Sequence, residues 1–176
     1  MRYVALLRGI NVGGNNKVDM KVLKNAFERA GMTDVKTYIN SGNVIFTDTI
    51  HTAQEITKKL ETIIEQTFGF AVKVLLRDRS QIQAIIASLP ESWQNNSVMK
   101  CDIMFLWDEV DSADILESLT IKQEIEDVKY VHGAILWRVD RHNTTRSGML
   151  KLVGTDLYRQ MTIRNCNTVR KLAQLF

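Results

Sequence analysis

The chain has 176 residues, of which 45% are hydrophobic and 24% charged, with a formal net charge of +3. Those proportions exclude a disordered chain. The length suits one ordinary domain or two small ones, with a core that needs neither disulfide nor metal to fold. No stretch approaches the roughly 20 apolar residues of a membrane span, and the apolar run at the N-terminus is too short for a signal peptide, so a cytoplasmic protein with no membrane partner is expected.

Tyr3 to Gly9 reads as a first strand whose residues Tyr3, Val4, Ala5, Leu6 and Leu7 are all apolar. A strand of that type is buried on both faces. Asp19 is placed to cap a helix with Leu23, Ala26, Phe27 and Ala30 on one face, and Gly31 stands where a cap glycine ends it. Val35 to Ile39 and Val44 to Thr47 read as strands joined by a tight Asn40-Ser41-Gly42-Asn43 hairpin. Thr52 and Glu55 make a capping box for a helix with Ile56, Leu60, Ile63 and Ile64 on its apolar face, closed by Gly69, and Ala71 to Leu76 is the next strand.

A helix over Ser80 to Leu89 is stopped by Pro90, and a polar loop follows. The element order then starts again. Cys101 to Trp107 is an apolar strand, Asp111 caps a short helix with Ile115, Leu116 and Leu119, and strands over 128–131 and 134–139 flank a His132-Gly133 turn. A helix is expected somewhere in 146–158, with limits blurred by Gly148 and Gly154. A short strand at 161–163 and a terminal helix starting at Asn167 or Thr168 complete the chain.

One order, β-α-β-β-α-β, thus occurs twice without residue-by-residue repetition. This is the split βαβ plan, and it predicts an α+β protein of two tandem ferredoxin-like subdomains. Residues 1–77 form the first, 78–99 a linking helix and loop, and 100–176 the second with its C-terminal helix. In that plan one sheet face stays open. The doubly apolar first strand requires a cover for it, from the second half of the chain or from a partner subunit in a homodimer, and the second half is the economical choice.

Charge is uneven. Residues 1–90 carry 12 basic and 8 acidic side chains, residues 91–140 carry 4 and 11, and residues 141–176 carry 7 and one. Such asymmetry marks an anion-binding surface or an internal neutralisation of tail by middle. The loop Arg8-Gly9-Ile10-Asn11-Val12-Gly13-Gly14-Asn15-Asn16-Lys17 lies between a strand and a helix, where phosphate loops sit. Gly9 and Gly14 have G-x-x-x-x-G spacing, but Asn15 and Asn16 replace the Lys and Ser/Thr of a nucleotide triphosphatase. The loop is therefore an anion site using backbone N–H groups with Arg8 or Lys17, or a sharp connection built by its glycines and asparagines. Ser41 lacks the surroundings of a nucleophile, and Asn43 belongs with it to a polar hairpin. Arg164 and Asn165 close the last strand as an anion contact and a ligand contact, or as a salt bridge and a helix cap.

His51, His132 and His142 have no metal-ligand spacing, and Cys101 and Cys166 lie far apart with no C-x-x-C, so both cysteines read as reduced thiols and no metal or cofactor is implied. A sheet that binds RNA through exposed aromatics is poorly matched, because Gly42-Asn43-Val44-Ile45-Phe46 supplies only Gly42 and Phe46.

Three segments carry a resemblance: Leu6 to Lys17, Thr37 to Phe46, and Thr162-Ile163-Arg164-Asn165 with Thr168. In order and spacing they resemble the bacterial family known as domain of unknown function 1697. That resemblance implies two ferredoxin-like subdomains and no known activity. Many members carry an aromatic residue where this chain has Cys166. Three readings of function follow. The first is a module binding an anionic small molecule or nucleic acid through Arg8, Asn11, Gly13, Gly14, Asn15, Lys17, Ser41, Asn43, Arg164 and Asn165. The second is a structural or interaction protein. The third is an enzyme in which Asn11, Asn40, Ser41 and Asn43 join Arg8 to polarise a substrate.

Overall fold

A computed structural model describes residues 1–176, and the chain divides into two compact units, Met1–Ser80 with Leu175–Phe176, and Gln81–Gln174. No helix is long and apolar enough to cross a membrane.

The first unit contains β1 (Arg2–Leu7), α1 (Met20–Arg29), β2 (Thr33–Tyr38), β3 (Asn43–Thr47), α2 (Ala53–Phe68) and β4 (Val74–Asp78). Its antiparallel sheet has the order β2-β3-β1-β4. Local chemistry sets the helix ends. The Asp19 carboxylate accepts from the N–H groups of Lys21 and Val22 at 2.8 and 3.0 Å. Thr52 and Glu55 form a reciprocal capping box, and Gly69 ends α2 in the left-handed conformation. Leu23 and Phe27 of α1, and Ile56, Leu60 and Ile64 of α2, pack with Ala5, Leu7, Val44, Phe46 and Leu76 of the sheet. Phe27 meets Phe46 edge-on at 5.6 Å between ring centres. The alternate residues Val4, Leu6, Ile45 and Leu75 are buried too, as a doubly apolar strand requires.

α3 (Arg79–Ser88) follows. The second unit has β5 (Met99–Leu106), β6 (Glu126–Val131), β7 (Ala134–Asp140) and β8 (Met161–Asn165), in the order β6-β7-β5-β8 and again antiparallel. Its helices depart from expectation. Residue 111 does not cap the short helix. Ser112 caps a 3-10 segment at Ala113–Ser118, while the Asp111 carboxylate accepts from the Tyr130 hydroxyl and the Gly133 N–H, both at 2.9 Å, and pairs with His132. In place of one helix over 146–158 the chain makes 3-10 turns at Arg141–Arg146 and Gly148–Lys151 and a four-residue helix α4 (Asp156–Arg159). A carboxylate explains the break. Glu126, buried in β6, takes hydrogen bonds from Lys122 N–H, Gly148 N–H, the Trp137 indole and the Ser147 hydroxyl. Those bonds pull residues 147–148 onto the sheet so tightly that a Cβ on Gly148 would stand 1.9 Å from the Thr120 carbonyl oxygen. Left-handed Gly154 then interrupts the run again.

The chain closes with α5 (Cys166–Leu175), which starts one or two residues earlier than its sequence pattern suggested. Likewise β4 begins at Val74 rather than near Ala71.

Candidate functional site

In the first unit the Arg8–Lys17 loop grows from the end of the central strand. Leu7 N–H donates to Gly42 O at 2.8 Å, and Arg8 N–H donates to Lys73 O at 3.0 Å. The loop is therefore tied to both neighbouring strands before it leaves the sheet. It then folds on itself. Asn11 N–H donates to Asn16 O and Asn15 N–H donates to Val12 O, each at 3.0 Å. Gly13 and Gly14, with φ of +58° and +78°, form the exposed tip of this small hairpin. A two-residue turn with both φ values positive favours glycine.

Asparagine side chains fix the base. The Asn11 carboxamide donates to Val18 O at 3.1 Å and Asn40 O at 2.8 Å, and its oxygen accepts from Val18 N–H at 2.8 Å. Asn16 donates to Gly9 O at 3.1 Å. Asn43, fully buried, donates to Tyr38 O at 2.9 Å and to the Ser41 hydroxyl at 3.0 Å. The turn itself is Ile39–Gly42, and Asn43 belongs to β3, where it pairs with Leu6. A Cβ on Gly42 would come within 2.8 Å of Leu7 Cβ and Ile10 Cδ1, so glycine is required by contact as well as by its φ of +82°. The hairpin and the loop are thus one construction, held by Asn11.

This distribution separates the expected site residues. Asn11 and Asn43 are engaged in holding main chain, and Ser41 accepts from Asn43. Half-exposed Arg8 and exposed Gly13, Gly14, Asn15 and Lys17 surround the loop. The first turn of α1 is capped by Asp19, so this loop does not present a helix N-terminus as a phosphate loop does.

Arg164 and Asn165 belong to the second unit. Arg164 lies opposite Ile103 in the β5–β8 ladder. It is 6% exposed, and its Nη1 donates to Thr162 Oγ1 at 3.0 Å and Ile163 O at 2.8 Å. Burial lowers its pKa to about 10, which leaves it cationic at neutral pH. Asn165 caps α5, accepting from Thr168 N–H at 3.0 Å and its hydroxyl at 3.3 Å. Sequence reasoning missed a counterpart. Arg77 holds the equivalent register in the first unit, opposite Val4 in the β1–β4 ladder, is 4% exposed, and donates to Leu76 O at 2.9 Å. The signal is an apolar strand ending in Arg-Asp, parallel to the later Arg-Asn, which lies just beyond Leu76, where the apolar run stops.

Two histidines are held by buried carboxylates. His51 Nδ1 lies 2.9 Å from Asp48, and His132 Nδ1 lies 2.9 Å from Asp111. Burial works to raise the Asp48 pKa, but hydrogen bonds from His51 and from Ile50 N–H bring it below the usual carboxylate value. Both aspartates also bind turn N–H groups, which accounts for their placement. No three His, Cys, Asp or Glu side chains gather as a metal-binding group. Cys101 and Cys166 are free thiols, as their sequence context suggests, but although 65 positions apart they lie close enough for each to shift the ionisation of the other.

The architecture and motifs define an α+β protein of two four-stranded antiparallel sheets, with a Gly/Asn loop clamped to a hairpin. The chain belongs to the family described as protein of unknown function DUF1697, whose model matches residues 1–137. It is similar over its whole length to a solved structure, that of the conserved bacterial protein SP0830 from Streptococcus pneumoniae. Identity is 32% and the TM-score 0.83, with 99% of this chain and 97% of that one covered. No curated protein matches.

Proposed function

We propose that this protein is a binding module for an anionic ligand (a nucleotide, a phosphorylated metabolite or a nucleic acid), carried on two tandem ferredoxin-like subdomains. The subdomain reading is supported by the shared strand order of the two sheets, in which the first strand is central and flanked by the third and fourth. The single observation that carries the binding reading is the division of labour in the loop. Asn11 and Asn43 hold its shape, while Arg8 and Lys17 flank an exposed Gly13–Gly14 tip with Lys73 joined to Arg8 through main chain. A rigid loop with cationic side chains meets an anion at small ordering cost. The Asn11 and Asn43 carboxamides are bonded to main chain, which counts against the enzyme reading.

The test is a thermal-shift screen against inorganic phosphate, nucleotides, sugar phosphates, polyphosphate and short RNA and DNA at low and moderate salt. A ligand at 100 times its Kd adds about 2.7 kcal/mol of stability. The shift should weaken with salt and fall in Arg8→Ala and Lys17→Ala. Unchanged affinity in both variants would remove the proposal.

One observation favours a second reading, a structural or interaction protein: the close contact of Gly42 with Leu7 and Ile10 gives the motif a purely architectural use. No shift with any ligand, together with melting losses on substitution in the motif, would favour that reading.

A further inference from the structure

The only two cysteines of the chain meet in the second unit, and their surroundings are unequal. Cys101 is on β5, and Cys166 opens α5. The β5–β8 ladder ends at the Asp102–Asn165 pair, and Cys101 and Cys166 are the next residue on either side of it. Residues directly opposed across an antiparallel ladder have Cα atoms about 4.5–5.5 Å apart. A disulfide spans roughly 4.4–6.8 Å between Cα atoms, within reach of two residues one step beyond such a pair. Both cysteines are free thiols and fully buried, and each lies close enough to shift the ionisation of the other.

The asymmetry decides which sulfur is the nucleophile. Arg170, one turn along α5, brings Nη1 within 3.5 Å of Cys166 Sγ. Cys166 also stands on the first turn of a ten-residue helix, where the peptide dipoles favour negative charge. Neighbouring Cys101 and Arg170 lower the Cys166 pKa, against burial and the charge of Asp102. Cys166 and burial raise that of Cys101. Trp93 O at 3.8 Å and Asn167 Oδ1 at 3.7 Å are acceptors for the Cys166 thiol while it keeps its proton.

We propose that Cys166 and Cys101 form an oxidation site for hydrogen peroxide, with Cys166 as the attacking thiolate, Cys101 as the resolving thiol, and an intrachain disulfide between β5 and α5 as the product. The Cys166 thiolate attacks one peroxide oxygen. An S–O bond forms, the O–O bond breaks, and the departing hydroxide takes up the proton that the thiol released. Cys166 is oxidised to a sulfenic acid while the peroxide is reduced to water. Cys101 then attacks the Cys166 sulfur, losing its proton. The S–S bond forms and the S–O bond breaks, and hydroxyl and proton leave as a second water. In sum, two thiols and one peroxide give one disulfide and two waters. Burial selects the oxidant: a molecule little larger than water reaches sulfurs that bulky disulfides and maleimides do not. The inference is independent of the anion-binding reading.

The full chain is treated with hydrogen peroxide, quenched, unfolded, alkylated and analysed by mass spectrometry. The expected result is loss of both alkylation sites together, a mass lower by two hydrogens, and a peptide pair joining Cys101 to Cys166. Cys101→Ser should stop at a sulfenic acid on Cys166, trapped by dimedone present as the quenched protein is unfolded. Cys166→Ser should leave Cys101 unmodified. In the untreated folded protein a bulky maleimide should label neither. Two thiols that still alkylate fully after peroxide, or disulfides found only between chains, would overturn the proposal on the unsubstituted protein alone.

Discussion

The Asn11 carboxamide donates to the main-chain oxygen of Asn40 across 2.8 Å, joining the first family motif to the second. Its two remaining bonds, both to Val18, close the base of the loop. No aliphatic side chain replaces three hydrogen bonds at a partly buried position. Asn11 also has a φ of +54°, which asparagine tolerates better than most residues. Asn11→Ala is expected to cost about 1–3 kcal/mol through unmet main-chain groups and the left-handed backbone. A urea titration checks it, as a lower midpoint with unchanged slope. Asn11→Asp should fall as far or further, because the two donated bonds are lost and a charge then faces two carbonyl oxygens.

Glycines 13 and 42 give a controlled comparison. Both have positive φ, at +58° and +82°. A methyl on Gly13 meets nothing within 4 Å, whereas one on Gly42 meets Leu7 Cβ and Ile10 Cδ1 at 2.8 Å. Gly13→Ala should cost about 1–2 kcal/mol, the left-handed penalty alone. Gly42→Ala should add about 1–3 kcal/mol for crowding of a packed core. Equal melting temperatures in the two variants would refute the close-approach account of Gly42.

What could be read from sequence follows from the range of the forces involved. The capped helices at Asp19 and Thr52, and the doubly buried first strand, depend on contacts within a few residues or on an unmistakable run of apolar side chains. The helix expected somewhere in 146–158 is reduced to short turns and the four-residue α4, because Glu126, some twenty residues earlier, takes the N–H of Gly148 and the hydroxyl of Ser147. Asp111 was read as a cap for the residues after it, but its acceptor sites go to Tyr130 and Gly133 in the hairpin beyond. The Cys101–Cys166 pair needed the strand register, which no local pattern contains. Within the candidate site, the motif residues were legible as a group. Their split into asparagines that build the loop and cations that flank it depends on hydrogen bonds to Val18, Asn40 and Tyr38, and those emerge only on folding.

Glu126 makes the second unit sensitive to acid. Burial works to raise its pKa, but the four donors from Lys122, Ser147, Trp137 and Gly148 outweigh it and hold the carboxyl below its ordinary 4.5. A lowered pKa in the folded state means that the unfolded chain binds the proton more tightly. The stabilisation is present above about pH 4.5 and is lost as pH falls through the lower, folded value. Glu126→Gln should abolish that portion of the acid sensitivity and cost about 1–3 kcal/mol at pH 7. Its amide nitrogen cannot accept from the Trp137 indole, whose N–H is 3.0 Å from the carboxylate. Glu126→Ala should cost more, with the loop over 147–151 losing protection in hydrogen exchange first.

Asp102 has the opposite sign. It sits on central strand β5 between Trp137 and Asn165, with a side chain 15% exposed and Lys100 Nζ at 3.6 Å. Burial raises its pKa, and Lys100 and Arg141 offset only part of that rise. The folded chain therefore holds this proton more tightly than the unfolded chain. Stability falls as pH rises from the ordinary 3.8 through the raised value, and above it the unit carries a desolvated charge. Asp102→Asn removes the charge and keeps the shape. The variant should match the parent protein below pH 3.8, where both side chains are neutral, and exceed it in urea midpoint at pH 7. A lower midpoint at pH 7 would mean that the Lys100 pairing outweighs desolvation. Measured beside Glu126→Gln, the two variants should shift the pH-stability profile in opposite directions, a result that non-specific damage to the second unit would not produce.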